Sequence, residues 1–147
     1  MTPLNAAIEL HDTTLGSIQE LPDGSLVVRF APAYVHRSAG TPGVDDGIGE
    51  VQNCSLIVAT GQIEGEIGKL PTAVLDGELH IGEVNFGNMI DLTCKVEDEP
   101  VALTLFLAQD FREIRVSGRG LVIRLEGDPK YVEEFGSARV QGGSAPQ

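Results

Sequence analysis

Apolar and polar residues alternate along most of this chain at the period of two that marks a strand with one buried face. Ile8 and Leu10 alternate with Glu9 and His11, so a continuous strand there points His11 away from the apolar side. Ser17 to Leu21 and Ser25 to Ala31 flank Pro22-Asp23-Gly24, where proline presets a turn and glycine supplies positive φ, predicting a hairpin. On its second arm Leu26, Val28 and Phe30 share a face. Strict alternation adds Tyr34 and His36 to that face, but Pro32 argues for a bulge or edge position and leaves the facing of His36 open. Residues 39–49 hold four glycines and a proline, which predict the longest loop and no regular structure.

From Glu50 the strand pattern resumes over Val51–Thr60 and Gln62–Ile67. A hairpin is expected at Asp76-Gly77, between Val74-Leu75 and Leu79-His80-Ile81, with His80 opposite the Leu79/Ile81 face. Phe86-Gly87-Asn88 reads as a turn before a strand from Met89 to Val96, and Glu97-Asp98-Glu99-Pro100 as an acidic connection. Val101, Leu103, Leu105 and Leu107 enclose Ala102, Thr104 and Phe106, a run apolar on both faces that marks a central strand. Ile114 and Val116 lie on one parity and Leu121, Ile123 and Leu125 on the other, so Gly118-Arg119-Gly120 predicts a bulge. Asp128-Pro129 has the form of a helix N-cap followed by proline at the first helical position, predicting a short helical turn through Phe135.

The expected fold is therefore all-β. It is a single-domain β-sandwich or flattened barrel of about eight to ten mostly antiparallel strands, with one short C-terminal helical turn. The domain spans residues 1–135, and residues 136–147, small and polar, form an expected disordered tail. A length of 147 residues can bury a core without staples, and a hydrophobic fraction of 41% with 22% charged residues excludes wholesale disorder.

Charge changes this picture more than composition does. The net charge is −12, and residues 1–99 carry 16 acidic and 4 basic side chains against 6 of each in residues 100–147. Such a field repels phosphate backbones and anionic lipid, so no nucleic-acid or membrane partner is expected, and a basic protein partner or a cation is favoured. Acidity that merely keeps the chain soluble is the plainer explanation. Arg112, Arg115, Arg119 and Arg124 are the one basic concentration; cross-strand ion pairs account for them, and contact with the acidic surface of another copy, giving a homo-oligomer, is the rival account. Cys54 and Cys94 sit in apolar strand-like runs and read as buried free thiols. With no basic segment leading into an apolar run at the N-terminus, the expected location is the cytoplasm.

Candidate chemistry clusters near the two early histidines. His11 with Asp12, and Tyr34, His36 and Arg37 ahead of a loop carrying Asp45 and Asp46, could line one ligand site if their strands pair. Neutral imidazoles of His11 and His36 with a carboxylate such as Asp46 suit zinc, manganese or iron by ligand type, although no spacing demands a metal. No Gly-x-Ser-x-Gly elbow and no phosphate-cradling glycine pattern is found, so no nucleophilic residue and no nucleotide cofactor is assigned; a divalent metal is the one cofactor considered.

The run Ile8-Glu9-Leu10-His11-Asp12-Thr13-Thr14-Leu15-Gly16-Ser17-Ile18, with Ala33-Tyr34-Val35-His36-Arg37-Ser38 and Tyr131-Val132-Glu133-Glu134-Phe135, resembles small uncharacterised bacterial all-β proteins with an N-terminal His-Asp-x-x-Leu strand. Some of that group are predicted immunity proteins, and the resemblance implies no established activity. Two functions follow as expectations. The first is a non-enzymatic acidic protein-binding module, immunity-like or an adaptor. The second is a metal- or small-ligand site, with hydrolysis as its candidate chemistry, around His11, Asp12, His36 and the 39–49 loop.

Overall fold

In a computed structural model the chain is described over residues 4–136. Ten strands follow in order: β1 (Asn5–Glu9), β2 (Thr14–Glu20), β3 (Leu26–Ser38), β4 (Gly47–Val58), β5 (Gln62–Glu64), β6 (Thr72–Ile81), β7 (Val84–Gly87), β8 (Met89–Asp91), β9 (Val96–Leu107) and β10 (Glu113–Phe135). A single 3₁₀ turn, Gln109–Phe111, is the one helical element among the described residues. The all-β reading and its strand count therefore hold.

All pairings are antiparallel and join one sheet in the order β2-β6-β9-β10-β4-β3-β1-β8, with β5 added to β10 and β7 to β6. β2 pairs with β3 and also with β6, so the sheet rolls back on itself. The seam to β6 consists of two register pairs, Thr14↔Ala73 and Leu15↔Thr72, too few to make a closed barrel. The long strands β3 and β10 change partners along their length. β10 runs beside β5 and β9 in its first half and beside β4 in its second.

One face of the rolled sheet is the core. Phe30, Leu56, Leu79, Leu103, Leu105, Ile114 and Leu121 are each at most 1% exposed, and Ile8, Leu10, Leu15 and Ile90 close the same cluster. Truncating such a side chain costs about 2–5 kcal/mol, the lost transfer energy plus the cavity left behind. β9 lies between β6 and β10, as its doubly apolar pattern predicts, and the register shift between Arg119 and Gly120 is the expected bulge. The Pro22-Asp23-Gly24 hairpin forms, closed by the Gly24 amide donating to Leu21 and by Asp23 accepting from the Ser25 amide.

Four local expectations fail for one reason: long-range pairing overrides a local signal. Asp128–Phe135 is strand, because Lys130 to Phe135 pair with Val51 to Gly47 of β4, and Pro129 falls in the register gap between Glu126 and Lys130, where no ladder hydrogen bond is required of it. Asp76-Gly77 is paired strand inside β6, just after a bulge at Leu75, rather than a hairpin; Gly77 lies so near β9 that a Cβ would sit 2.9 Å from the Thr104 carbonyl oxygen. The chain reverses instead at Gly82-Glu83, between β6 and β7. Glu97-Asp98-Glu99-Pro100 belongs to β9, and the loop expected over 39–49 ends at 46, with β4 starting at Gly47. Cys54 is a buried free thiol, whereas Cys94 sits half-buried in the connection after β8, not on a strand. Apart from Gly136, the expected C-terminal tail lies outside the described residues.

Candidate functional site

The candidate site is built on the face of β1 and β3 that turns away from the core. The register shift between Phe30 and Ala33 transfers alternation, so Ala33 and Val35 join the core while Tyr34 and His36 face the opposite side. Pro32 thus decides the facing of His36, which strict alternation had reversed. In the β1–β3 register Ala7 is opposite His36 and Glu9 opposite Tyr34, so Glu9 is the diagonal neighbour of His36, within side-chain reach.

His36 is 7% exposed and its Nε2 lies 2.6 Å from Oε1 of Glu9. Its ring is held between Tyr34 and Phe135, with both centroids at 5.1 Å. Tyr34 in turn donates its hydroxyl to Glu133 of β10. This phenol packs over Gly49, where a Cβ would fall 2.0 Å from the hydroxyl oxygen, so glycine is required for the tyrosine to lie flat. Burial, and then the hydrogen bond to Glu133, raises the Tyr34 phenol well above its ordinary pKa. It stays a neutral donor.

After Glu9 the chain turns sharply over Leu10 to Thr13. Asn88 accepts from the His11 amide at 2.7 Å, and the buried Thr13 hydroxyl donates to the Glu9 carbonyl at 2.8 Å while accepting from the Tyr34 amide at 3.1 Å. Asp12 takes the left-handed region, φ 79°, which aspartate tolerates better than most residues. The turn brings the His11 Nδ1 to 3.4 Å from Glu9 Oε2 and 3.4 Å from Asp12 Oδ2. Among the described residues Glu9, His11 and Asp12 are the group of three whose donor atoms all fall within 4.8 Å of one another. His11 and Asp12 are exposed and Glu9 half-buried, so the open side faces solvent.

The separations carry chemical information. An N–H···O hydrogen bond prefers about 2.7–3.2 Å, so 3.4 Å is long for one. Donors bonded at about 2.0–2.2 Å to one tetrahedral ion stand roughly 3.3–3.6 Å apart, which matches both spacings. Glu9 has the form of a metal-ligand carboxylate with an outer partner: buried His36 fixes one oxygen and leaves the other to the cluster.

The remaining sequence candidates lie elsewhere. Arg37 is committed to Glu50, with Gln52 accepting a second hydrogen bond at 3.3 Å. Asp45 accepts from the Thr41 amide at 2.6 Å within its own loop, and the Asp46 carbonyl accepts from Ser38. Asp45 and Asp46 line a cavity of ≈ 340 Å³ with His36, Arg37, Val44, Ile48 and Phe135, and neither joins the three-donor group at His11. Sequence reasoning missed Glu9, Asn88, Thr13 and Glu133. For Glu9 the signal was present: Glu9 and His11 stand at i and i+2 of one extended segment, on one face, with Asp12 next.

No family model, curated protein or solved structure matches this chain. No helix among the described residues is long and apolar enough to cross a membrane.

Proposed function

We propose that this protein binds a divalent transition-metal ion through Glu9, His11 and Asp12, with His36 positioning Glu9. The observation that carries the reading is the pair of 3.4 Å donor separations around His11 Nδ1, too long for good hydrogen bonds and matched to a shared tetrahedral ion. One imidazole nitrogen and two carboxylate oxygens form a borderline donor set suited to zinc, manganese or iron, and three protein ligands leave a fourth position for water or a ligand. The net charge of −12 adds a long-range attraction for cations. The two free thiols fit a reducing compartment, and we place the function in the cytoplasm.

Native mass spectrometry and zinc titration calorimetry of untagged protein test this. One equivalent is expected in the wild type and none at the same concentration in Glu9→Gln. Stoichiometric zinc uptake by Glu9→Gln would remove these residues from the site.

A second reading, a non-enzymatic acidic module that covers a basic protein, is favoured by the 16-to-4 charge imbalance of residues 1–99. Complementarity of that kind gives fast association that slows with salt. A partner recovered by pull-down whose association rate is indifferent to salt would count against it.

A further inference from the structure

On the outward face of β5, β10, β9 and β6 the register builds a polar groove of ≈ 680 Å³, within the roughly 300–1,000 Å³ typical of small-molecule sites. Two rows cross it. Arg115 is paired with Thr104, and Thr104 with Glu78; two residues along, Gln62 is paired with Ser117, Ser117 with Ala102, and Ala102 with His80. The intervening residues Val116, Leu103 and Leu79 point into the core. Small side chains thus floor the groove at Ser117 and Ala102, and long polar ones wall it.

The groups facing this groove are largely unspent. Arg29, Arg37, Arg112 and Arg119 are paired with Glu126, Glu50, Glu66 and Asp98, whereas Arg115 and Arg124 have no carboxylate partner among the described residues, and of these two Arg115 lines the groove. The side chains of Ser117, Thr104 and Gln62 likewise have no hydrogen-bond partner there, and on the far wall His80 Nε2 meets Glu78 at 3.1 Å. A free guanidinium fork in a strongly acidic protein selects an anion. With one free fork, and Glu64 and Glu78 in the same row, the groove suits a single negative charge better than the −1.5 to −2 or so of a phosphate monoester. Hydroxyl and amide groups beside the arginine match a ligand rich in hydroxyls, and no aromatic residue offers a stacking platform.

We propose that this groove binds a polyhydroxylated monocarboxylate, of the sugar-acid class, with Arg115 holding the carboxylate and Ser117, Thr104, Gln62 and the His80–Glu78 pair addressing its hydroxyls. The probes are D-glucuronate, D-glucose and inorganic phosphate, titrated by calorimetry into the full chain. Glucuronate is expected to bind one to one, at least tenfold tighter than either glucose or phosphate. Arg115→Gln, an exposed position, should weaken it at least tenfold with an unchanged melting temperature. Ala102→Leu, which fills the floor without altering charge, should abolish it, and zinc uptake should be unchanged in both variants. Absence of saturable glucuronate binding, tighter binding of phosphate, or full affinity in a folded Arg115→Gln variant would each overturn the assignment.

Discussion

Two polar regions of this molecule manage charge in opposite ways. At the β1–β3 end, side chains already answer one another: Tyr34 to Glu133, His36 to Glu9, Arg37 to Glu50. On the β5–β10–β9–β6 face, Arg115, Ser117, Thr104 and Gln62 are displayed without partners among the described residues. The difference follows from burial. His36 and Tyr34 are covered by β10, and a buried polar group left unpaired costs about 1–3 kcal/mol, so partners there are obligatory. The groove faces water, which satisfies its groups until a ligand replaces it. The lesson concerns where ligands can act: in the first region an internally paired shell aims one open cluster, Glu9 with His11 and Asp12, whereas in the second the ligand itself would be the partner.

The substitution that separates the two most widely is His11→Ala. His11 is exposed, so stability should move by less than about 0.5 kcal/mol in urea denaturation, while zinc affinity falls at least a hundredfold, about 2.7 kcal/mol. Glucuronate binding in the groove should not change. If zinc binds the variant as tightly as the wild type, His11 is not a ligand and the long 3.4 Å contacts are ordinary surface neighbours.

Next in size is Gly49→Ala. The added methyl would overlap the Tyr34 hydroxyl and stand 3.1 Å from a Phe135 ring carbon, so Tyr34 must leave Glu133 or β4 must shift. A loss of about 1–3 kcal/mol is expected, with a weakened zinc site because His36 loses its packing. The same alanine should leave the groove intact. A midpoint equal to that of the wild type in urea would show that the tyrosine moves without cost and that the shell is not rigid.

His36→Gln probes the relay more gently. Outer partners of metal ligands typically contribute 10–100-fold in affinity, and that loss in zinc titration is the expectation here. An affinity within a factor of two of the wild type would mean that Glu9 is oriented by its strand alone.

These contrasts also explain what could be read from the chain itself. Strands and the 22–24 turn were legible because a two-residue period and turn chemistry are local, and the bulge at 118–120 followed from a parity change between Val116 and Leu121. What escaped was non-local. The Asp128-Pro129 signal is a sound helix start in isolation, but β4 pairs with Lys130 to Phe135 across one bulge at Val132, and ladder hydrogen bonds outweigh a cap. The half-site was legible in the same measure: His11 and Asp12 stood out by residue type, whereas Glu9 needed the β1–β3 register, which places His36 diagonally across from it. Asp45 and Asp46 looked equivalent to Asp12 in sequence, yet the loop spends Asp45 on its own Thr41 amide.

The smallest expected effect lies between the two regions, where Glu126 accepts from Arg29 at 3.0 Å and from Ser55 at 3.2 Å. The Arg29 hydrogen bond holds this carboxyl below its ordinary pKa, partial desolvation opposing and Ser55 assisting. A lowered folded-state pKa means that the unfolded chain takes up the proton more readily. The stabilisation is therefore complete above the ordinary glutamate range and is lost as pH falls through that range toward the lower folded value. Both partners are exposed beyond a third, so screening keeps the contribution under about 1 kcal/mol. The same negative charge, after burial, helps push the neighbouring Cys54 thiol up to about 12 and keeps it unreactive at neutral pH. Thermal melts from pH 7 to pH 3 should show a shallower decline in Glu126→Gln than in the wild type, and parallel curves would place the acid sensitivity of the fold elsewhere, with Asp23 next because the Ser25 amide lowers its pKa in the same direction.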